Sequence, residues 1–258
     1  MERSFRTVCE IEPPTRPDLM HVRHQIGVLS EVADAFLIPD NHIGRATVSS
    51  IAVAHEVERM GGRSIACLNA RDRNLLGFRR DLLTAAAYGV DQFLFVHGDR
   101  PTSGLATGQL TVRSMVEEAR AFDAAHPDGR SISIGVAAGA GPLPGWKREA
   151  DFAFLQVGFD LDDLLARREA LATDLPVYAG VMVVASAAMA RKLSAEVAQL
   201  AVPSTLIDQL EADRDAGVRL ACELVRSIED SGAFAGVHLV PVSRYREVAA
   251  RLEADVRR

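Results

Sequence analysis

Two short segments concentrate carboxylates where chemistry could use them. Cys9-Glu10-Ile11-Glu12-Pro13-Pro14 ends one apolar run, and His97-Gly98-Asp99-Arg100-Pro101 ends another. Glu10 lies inside its run, beside Val8 and Ile11. Apolar surroundings favour a protonated carboxyl, which is what a general acid requires. A salt bridge to Arg71 or Arg73 is the structural alternative. Period-two alternation would place Glu12 on the same side as Glu10. Asp99 is the second catalytic candidate, although Gly, Asp and Pro are also what a plain turn contains.

Other polar residues follow apolar runs in the same way. Asp40-Asn41 precedes Gly44-Arg45, Asn69 precedes Arg71-Asp72-Arg73-Asn74, and Ser243-Arg244 follows the last run. Gln156 sits within the sixth run, and Ser186 lies just beyond the seventh. Arg71 and Arg73 at the start of a helix could form an anion site, or simply a solvated charged face. His97 reads as a packed or capping histidine, and no second His or Cys stands near it to make a metal site.

The elements that must position these residues are regular. Eight nearly continuous apolar runs recur: Phe5–Ile11, Ala35–Pro39, Ser64–Ala70, Gln92–Val96, Ser131–Ala137, Phe152–Val157, Val177–Val183 and Gly236–Val242. Such runs are what parallel strands buried on both faces show. Between them, Leu19, Val22, Ile26 and Leu29 share a helical face, as do Val112, Met115, Ala119 and Phe122. Met189, Leu193, Val197 and Leu200 form a third stripe, and Val218, Cys222, Val225 and Ile228 a fourth. Met60, Met115 and Met189 are expected in the core.

Alternating strands and helices imply βαβ units, and eight of them over 258 residues point to one (β/α)₈ TIM barrel domain spanning 1–258. No G-x-G-x-x-G follows a strand, which disfavours a doubly wound sheet. The fifth connection, Ala138–Asp151, is too rich in Gly and Pro for a full helix and has room for a single turn at Trp146–Glu149. In this fold the site forms at the C-terminal strand ends.

Composition excludes several classes. A net charge of −6 and a pI near 5.7 give no global basic footprint for nucleic acid. Three widely spaced cysteines, Cys9, Cys67 and Cys222, make no disulfide framework and fit a reducing compartment. The N-terminal MERSFRTVCE lacks an apolar signal core, and Val181–Ala190 is too short to span a bilayer, so a cytoplasmic protein is expected. An assembly of identical chains stays open.

In order and spacing, these strand ends resemble the methylenetetrahydrofolate reductase family. The matching segments are Cys9–Pro14, Asp40–Ser50, Cys67–Asn74, Asp81–Val90, Val96–Pro101, Leu155–Asp160 and Gly217–Arg244. The resemblance implies a barrel enzyme of one-carbon metabolism and methionine biosynthesis. It would reduce 5,10-methylenetetrahydrofolate to 5-methyltetrahydrofolate, with NADH or NADPH as the hydride source.

Carried over by motif, Glu10 is the general acid that assists ring opening to an iminium. Asp99 faces the pterin, Gln156 contacts the folate, and Arg244 stands near the glutamate tail. Asp40 and Asn69 complete the expected substrate contacts, and Arg71, His97 and Gly98 the expected cofactor contacts. Family members bind FAD through a histidine-containing motif after the fifth strand. Here that region is Ala137-Ala138-Gly139-Ala140-Gly141-Pro142-Leu143-Pro144-Gly145-Trp146, without histidine, and Pro39-Asp40-Asn41 replaces a threonine-tyrosine-glycine ending. The expectation is therefore direct hydride transfer from nicotinamide to the iminium, without bound flavin.

Two other classes compete with this reading. One is a catalytically idle barrel that binds folate or docks on a methyl-transferring partner; a general acid at Glu10 argues for the enzyme. The other is a lyase or aldolase, disfavoured because no strand-end lysine is placed for a Schiff base.

Overall fold

The computed structural model describes residues 5–100, 102–127, 129–196 and 200–256. Pro101 and Val197, which figure in the motifs above, lie outside the described residues.

Eight parallel strands close in sequence order, with β8 pairing back onto β1. They are β1 (Arg6–Glu10), β2 (Ala35–Ile38), β3 (Ser64–Asn69), β4 (Gln92–Val96), β5 (Ser133–Ala138), β6 (Phe152–Gly158), β7 (Val177–Met182) and β8 (Gly236–Val240). The expected runs overlap all eight: β4 coincides, β6 reaches one residue further to Gly158, β5 is shifted to end at Ala138, and the other five are shorter. β8 stops before Pro241, which has no N–H for a ladder. β1 stops at Glu10, and Glu12 lies exposed beyond the strand end.

Helices α1 (Met20–Leu29), α2 (Ser50–Arg59), α3 (Leu75–Ala87), α4 (Val112–Ala125) and α5 (Leu161–Ala170) each follow a strand. A 3-10 turn, Gly145–Glu149, is the whole of the helical structure between β5 and β6. Between β7 and β8 come α6 (Ala187–Glu196), α7 (Ser204–Ala212) and α8 (Ala216–Ser231), and α9 (Tyr245–Val256) ends the described chain. The α7 segment was not anticipated, although Pro203 and the spacing of Leu206, Ile207 and Leu210 carry its signal.

Strand alternation sorts the core into two shells. Outward residues such as Cys9, Phe36, Leu68, Phe95 and Val237 pack under the helices with Val22, Ile26, Phe78, Met115 and Val225. Inward residues Val8, Leu37, Ile65, Cys67, Leu94, Phe152, Phe154 and Tyr178 fill the barrel. Met189 and Leu193 pack instead on a separate small cluster formed by α6, α7 and the start of α8. Met60 is 44% exposed: it follows the last residue of α2, where the apolar stripe no longer faces the sheet.

The interior rings need room, and two inward glycines supply it. A Cβ on Gly135 would lie 2.1 Å from the Phe152 ring, and one on Gly236 would lie 2.1 Å from the Arg6 carbonyl oxygen and 2.9 Å from the Tyr178 ring. The Arg6 carbonyl is ladder backbone and cannot step aside. Gly236→Ala is therefore expected to cost about 1–3 kcal/mol, read as a lower urea midpoint at unchanged slope.

Candidate active site

Strand parity carries Glu10 and His238 to the inside of the barrel, on adjacent strands β1 and β8. Their neighbours Cys9, Ile11, Val237 and Leu239 are fully buried on the outer side. The His238 imidazole Nε2 lies 3.1 Å from Glu10 Oε2, with side chains 13% and 17% exposed. The Phe154 ring meets His238 edge-on at 5.3 Å and stacks on Tyr178 at 5.1 Å. A carboxyl at the end of β1 and an imidazole one layer deeper on β8 thus share a hydrogen bond above an aromatic floor, below the strand ends where this fold does its chemistry. Neither Arg71 nor Arg73 pairs with Glu10, contrary to the structural alternative; both are committed elsewhere.

His238 was missed by the reading of sequence. Its signal was a single titratable residue at the inward parity of the Gly236–Val242 run, visible only once the strand's facing is known.

Cys67 lies on the same inner wall. Burial, reinforced by the charges of Glu10 and Asp40, pushes its thiol well above the ordinary value. It therefore stays protonated and is no nucleophile.

The remaining polar strand ends form a closed network. Asp40 Oδ2 accepts from the Asn69 amide at 2.9 Å, from Asn69 Nδ2 at 2.6 Å and from Arg73 Nη1. Arg73 Nε also donates to Asp81 on α3 at 2.8 Å. Arg71 holds Asp72 through Nε at 2.6 Å and Nη2 at 2.5 Å, and Asn41 donates to the same carboxylate at 2.9 Å. Asp40 and Asn69 are buried in this clamp between β2, β3 and α3, and the arginines answer carboxylates in place of an external anion. Within the clamp, Arg71 Nη1 is buried without a hydrogen-bond partner.

Asp99 and His97 are both exposed on the rim, so His97 is not packed as expected. Asp99 Oδ2 accepts from the Ile43 amide at 3.0 Å. Ile43 has φ +56°, a costly value for a β-branched residue, and is exposed in the His42–Gly44 turn that follows β2. Gly98 has φ +94°, and a Cβ there would lie 2.9 Å from Asn69 Cβ. Gln156 is exposed at the inward parity of β6, beside an irregularity in its pairing with β7. Arg244 pairs with Asp215 at 3.1 Å and Glu247 at 2.9 Å, both exposed carboxylates.

The chain is thus a (β/α)₈ barrel protein with an acid–imidazole pair inside its closed parallel wall. The sequence model of the methylenetetrahydrofolate reductase family matches residues 146–254, from the turn after β5 through most of α9. A search of curated proteins found no match. Among solved structures, an uncharacterized protein from Clostridium thermocellum that binds two copies of 5-methyl-5,6,7,8-tetrahydrofolic acid superposes with a TM-score of 0.67. The two are 14% identical, over 98% of this chain and 95% of that one. Dihydropteroate synthase from Thermus thermophilus is 14% identical with a TM-score of 0.53, over 98% and 96% of the two chains. A tryptophan synthase alpha-subunit mutant from Pyrococcus furiosus is 15% identical at 0.51, over 97% and 96%. At these identities the likeness establishes the barrel fold.

The rim clamp has a measurable pH signature. The Arg71 guanidinium, aided by Asn41 and Asn69, holds the Asp72 carboxyl at about 2 against an ordinary 3.8. A carboxyl depressed by folding contributes stability above its unfolded value, lost as pH falls. Between about pH 4 and pH 2 the wild type should lose roughly 2 kcal/mol through this group. Denaturant titrations of Asp72→Asn should lack that component.

Proposed function

We propose that the protein is a folate-dependent oxidoreductase that reduces 5,10-methylenetetrahydrofolate to 5-methyltetrahydrofolate with a nicotinamide hydride. The observation that carries this reading is the Glu10 carboxyl, enclosed in the barrel mouth and hydrogen-bonded to His238. Support comes from the family match over 146–254 and from the folate bound by the Clostridium protein of like fold.

In this reading Glu10 donates a proton to the leaving nitrogen of the five-membered ring, whose C–N bond breaks as the other nitrogen forms an iminium. The nicotinamide hydride then reduces the iminium carbon. Enclosure keeps water from competing and strengthens the field of the acid on the developing cation. Asp99, with one oxygen on the Ile43 amide, retains acceptor capacity for the pterin and lends the rim negative charge. Gln156 presents its carboxamide from β6. Arg244 reaches the glutamate tail by exchanging its solvent-exposed partners Asp215 and Glu247 for the substrate carboxylate.

The family's flavin does not fit the residues after β5. Among the described residues no α-helix stands between β5 and β6, so no helix N-terminus is offered to a diphosphate there. Leu143 is buried, and Lys147 Nζ, its pKa lowered by burial, donates to the Ala137 carbonyl at 2.6 Å. The next helix, α5, is capped by Asp160 and carries Asp162 and Asp163 in its first turn, which repels a phosphate. Hydride accordingly passes from nicotinamide to substrate without an intermediary.

Two outcomes test this. Purified protein should oxidise NADH or NADPH only when methylenetetrahydrofolate is present, and Glu10→Gln should slow that rate by roughly 10²–10⁴-fold. A protein that binds folate but never consumes the nicotinamide would be an idle binder instead. The purified chain should also show no stoichiometric flavin absorbance, and added FAD should leave the rate unchanged.

A further inference from the structure

A general acid that gives up a proton on every turnover must recover one, and it must keep its carboxyl aimed while doing so. Among the described residues the partner placed for both tasks is His238. We propose that His238 is the positioning residue of Glu10, and that the pair holds one exchangeable proton as a unit. This rests on the reading of Glu10 as the acid.

The geometry supports it from three directions. His238 Nε2 faces Glu10 Oε2 at 3.1 Å, which leaves Oε1 as the oxygen to meet substrate. The imidazole is held edge-on by Phe154, itself stacked on Tyr178, so the ring is braced from below. Both partners are mostly enclosed, where a hydrogen bond between titratable groups is strengthened by low dielectric.

The other groups around the pair are poor proton stores. From β3 comes Cys67, kept as a thiol by burial and by the nearby charges. Asp40, which also acts on Cys67, is tied to Arg73. Leu37 from β2 and Phe154 from β6 carry no titratable group, and Tyr178 from β7 lies stacked below the histidine's ring neighbour.

The proton balance is simple. Glu10 loses its proton to the substrate nitrogen as the C–N bond electrons move onto that nitrogen. Reduced nicotinamide supplies the hydride and leaves oxidised. Water at the mouth then gives a proton to the imidazole, and the Glu10 carboxylate takes that proton from Nε2, which restores the single proton of the pair. One proton and one hydride are consumed per turnover.

His238→Gln tests the idea, because the carboxamide can still donate to Glu10 but cannot take up a further proton. The alkaline limb of kcat/KM against pH should begin at lower pH than in the wild type, and kcat near neutrality should fall about tenfold. Binding of 5-methyltetrahydrofolate by calorimetry should stay within about threefold, since only proton supply has changed. A pH profile parallel to the wild type would overturn the proposal. If that variant does not fold, the imidazole nitrogens of His238 can be observed by NMR in the wild type and in Glu10→Gln. The Nε2 chemical shift should change when the carboxyl is replaced, and an unchanged shift counts against the pair. Should Glu10→Gln keep the full wild-type rate, the acid assignment itself fails; a slow Glu10→Gln beside a His238→Gln with wild-type pH behaviour removes only the role of His238.

Discussion

The pairing of β1 with β8 is the contact on which the rest of the molecule depends. It turns an open row of strands into a closed wall, so each strand has a partner on both sides and no unpaired edge is left. It also brings Glu10 within 3.1 Å of a histidine 228 residues away. Closure fixes which side chains point inward. The interior then has to be filled, and it is filled unevenly: large rings from β6 and β7 lean toward glycines on β5 and β8. The aromatic floor under the acid–imidazole pair is a by-product of that packing, and it braces the pair.

Polar residues at the strand ends divide into two populations. Asp40, Asn69, Arg71, Asp72 and Arg73 bond to one another, with Arg71 Nη1 left over, and so tie the ends of β2 and β3 to the start of α3. Such a buried network adds little net stability compared with apolar packing, but removing one member leaves a charge without its partner. Glu10, His238, Asp99 and Gln156 belong to the other population, because they face the mouth or the rim. Charge balance separates the two groups: each carboxylate of the clamp has a guanidinium, whereas the mouth acid has a titratable base.

The connections are as unequal as the strands are regular. β5 to β6 is crossed by a short turn, while β7 to β8 is crossed by three helices with a hydrophobic cluster of their own around Val184, Ala190 and Leu210. A cavity of about 370 Å³ lies between those helices and the wall, lined in part by Val181, Leu206, Gln209 and Leu220. Where the barrel is thin, a lysine caps the strand's carbonyl edge, and an acidic helix start follows.

Sequence alone determined the strands, most of the helices and the barrel class, because burial on both faces imposes continuous apolar runs and helical packing imposes its own period. It also marked Glu10, since a carboxyl inside an apolar run is conspicuous without any partner in view. It could not foresee that Asp40 and Asn69 bond to each other and to Arg73, because polarity after a strand looks the same whether it meets a neighbour or a ligand. Nor could it find His238. Which way a side chain points depends on where each strand stops and on the register across the closure, and those are decided only when all eight strands compete for one interior.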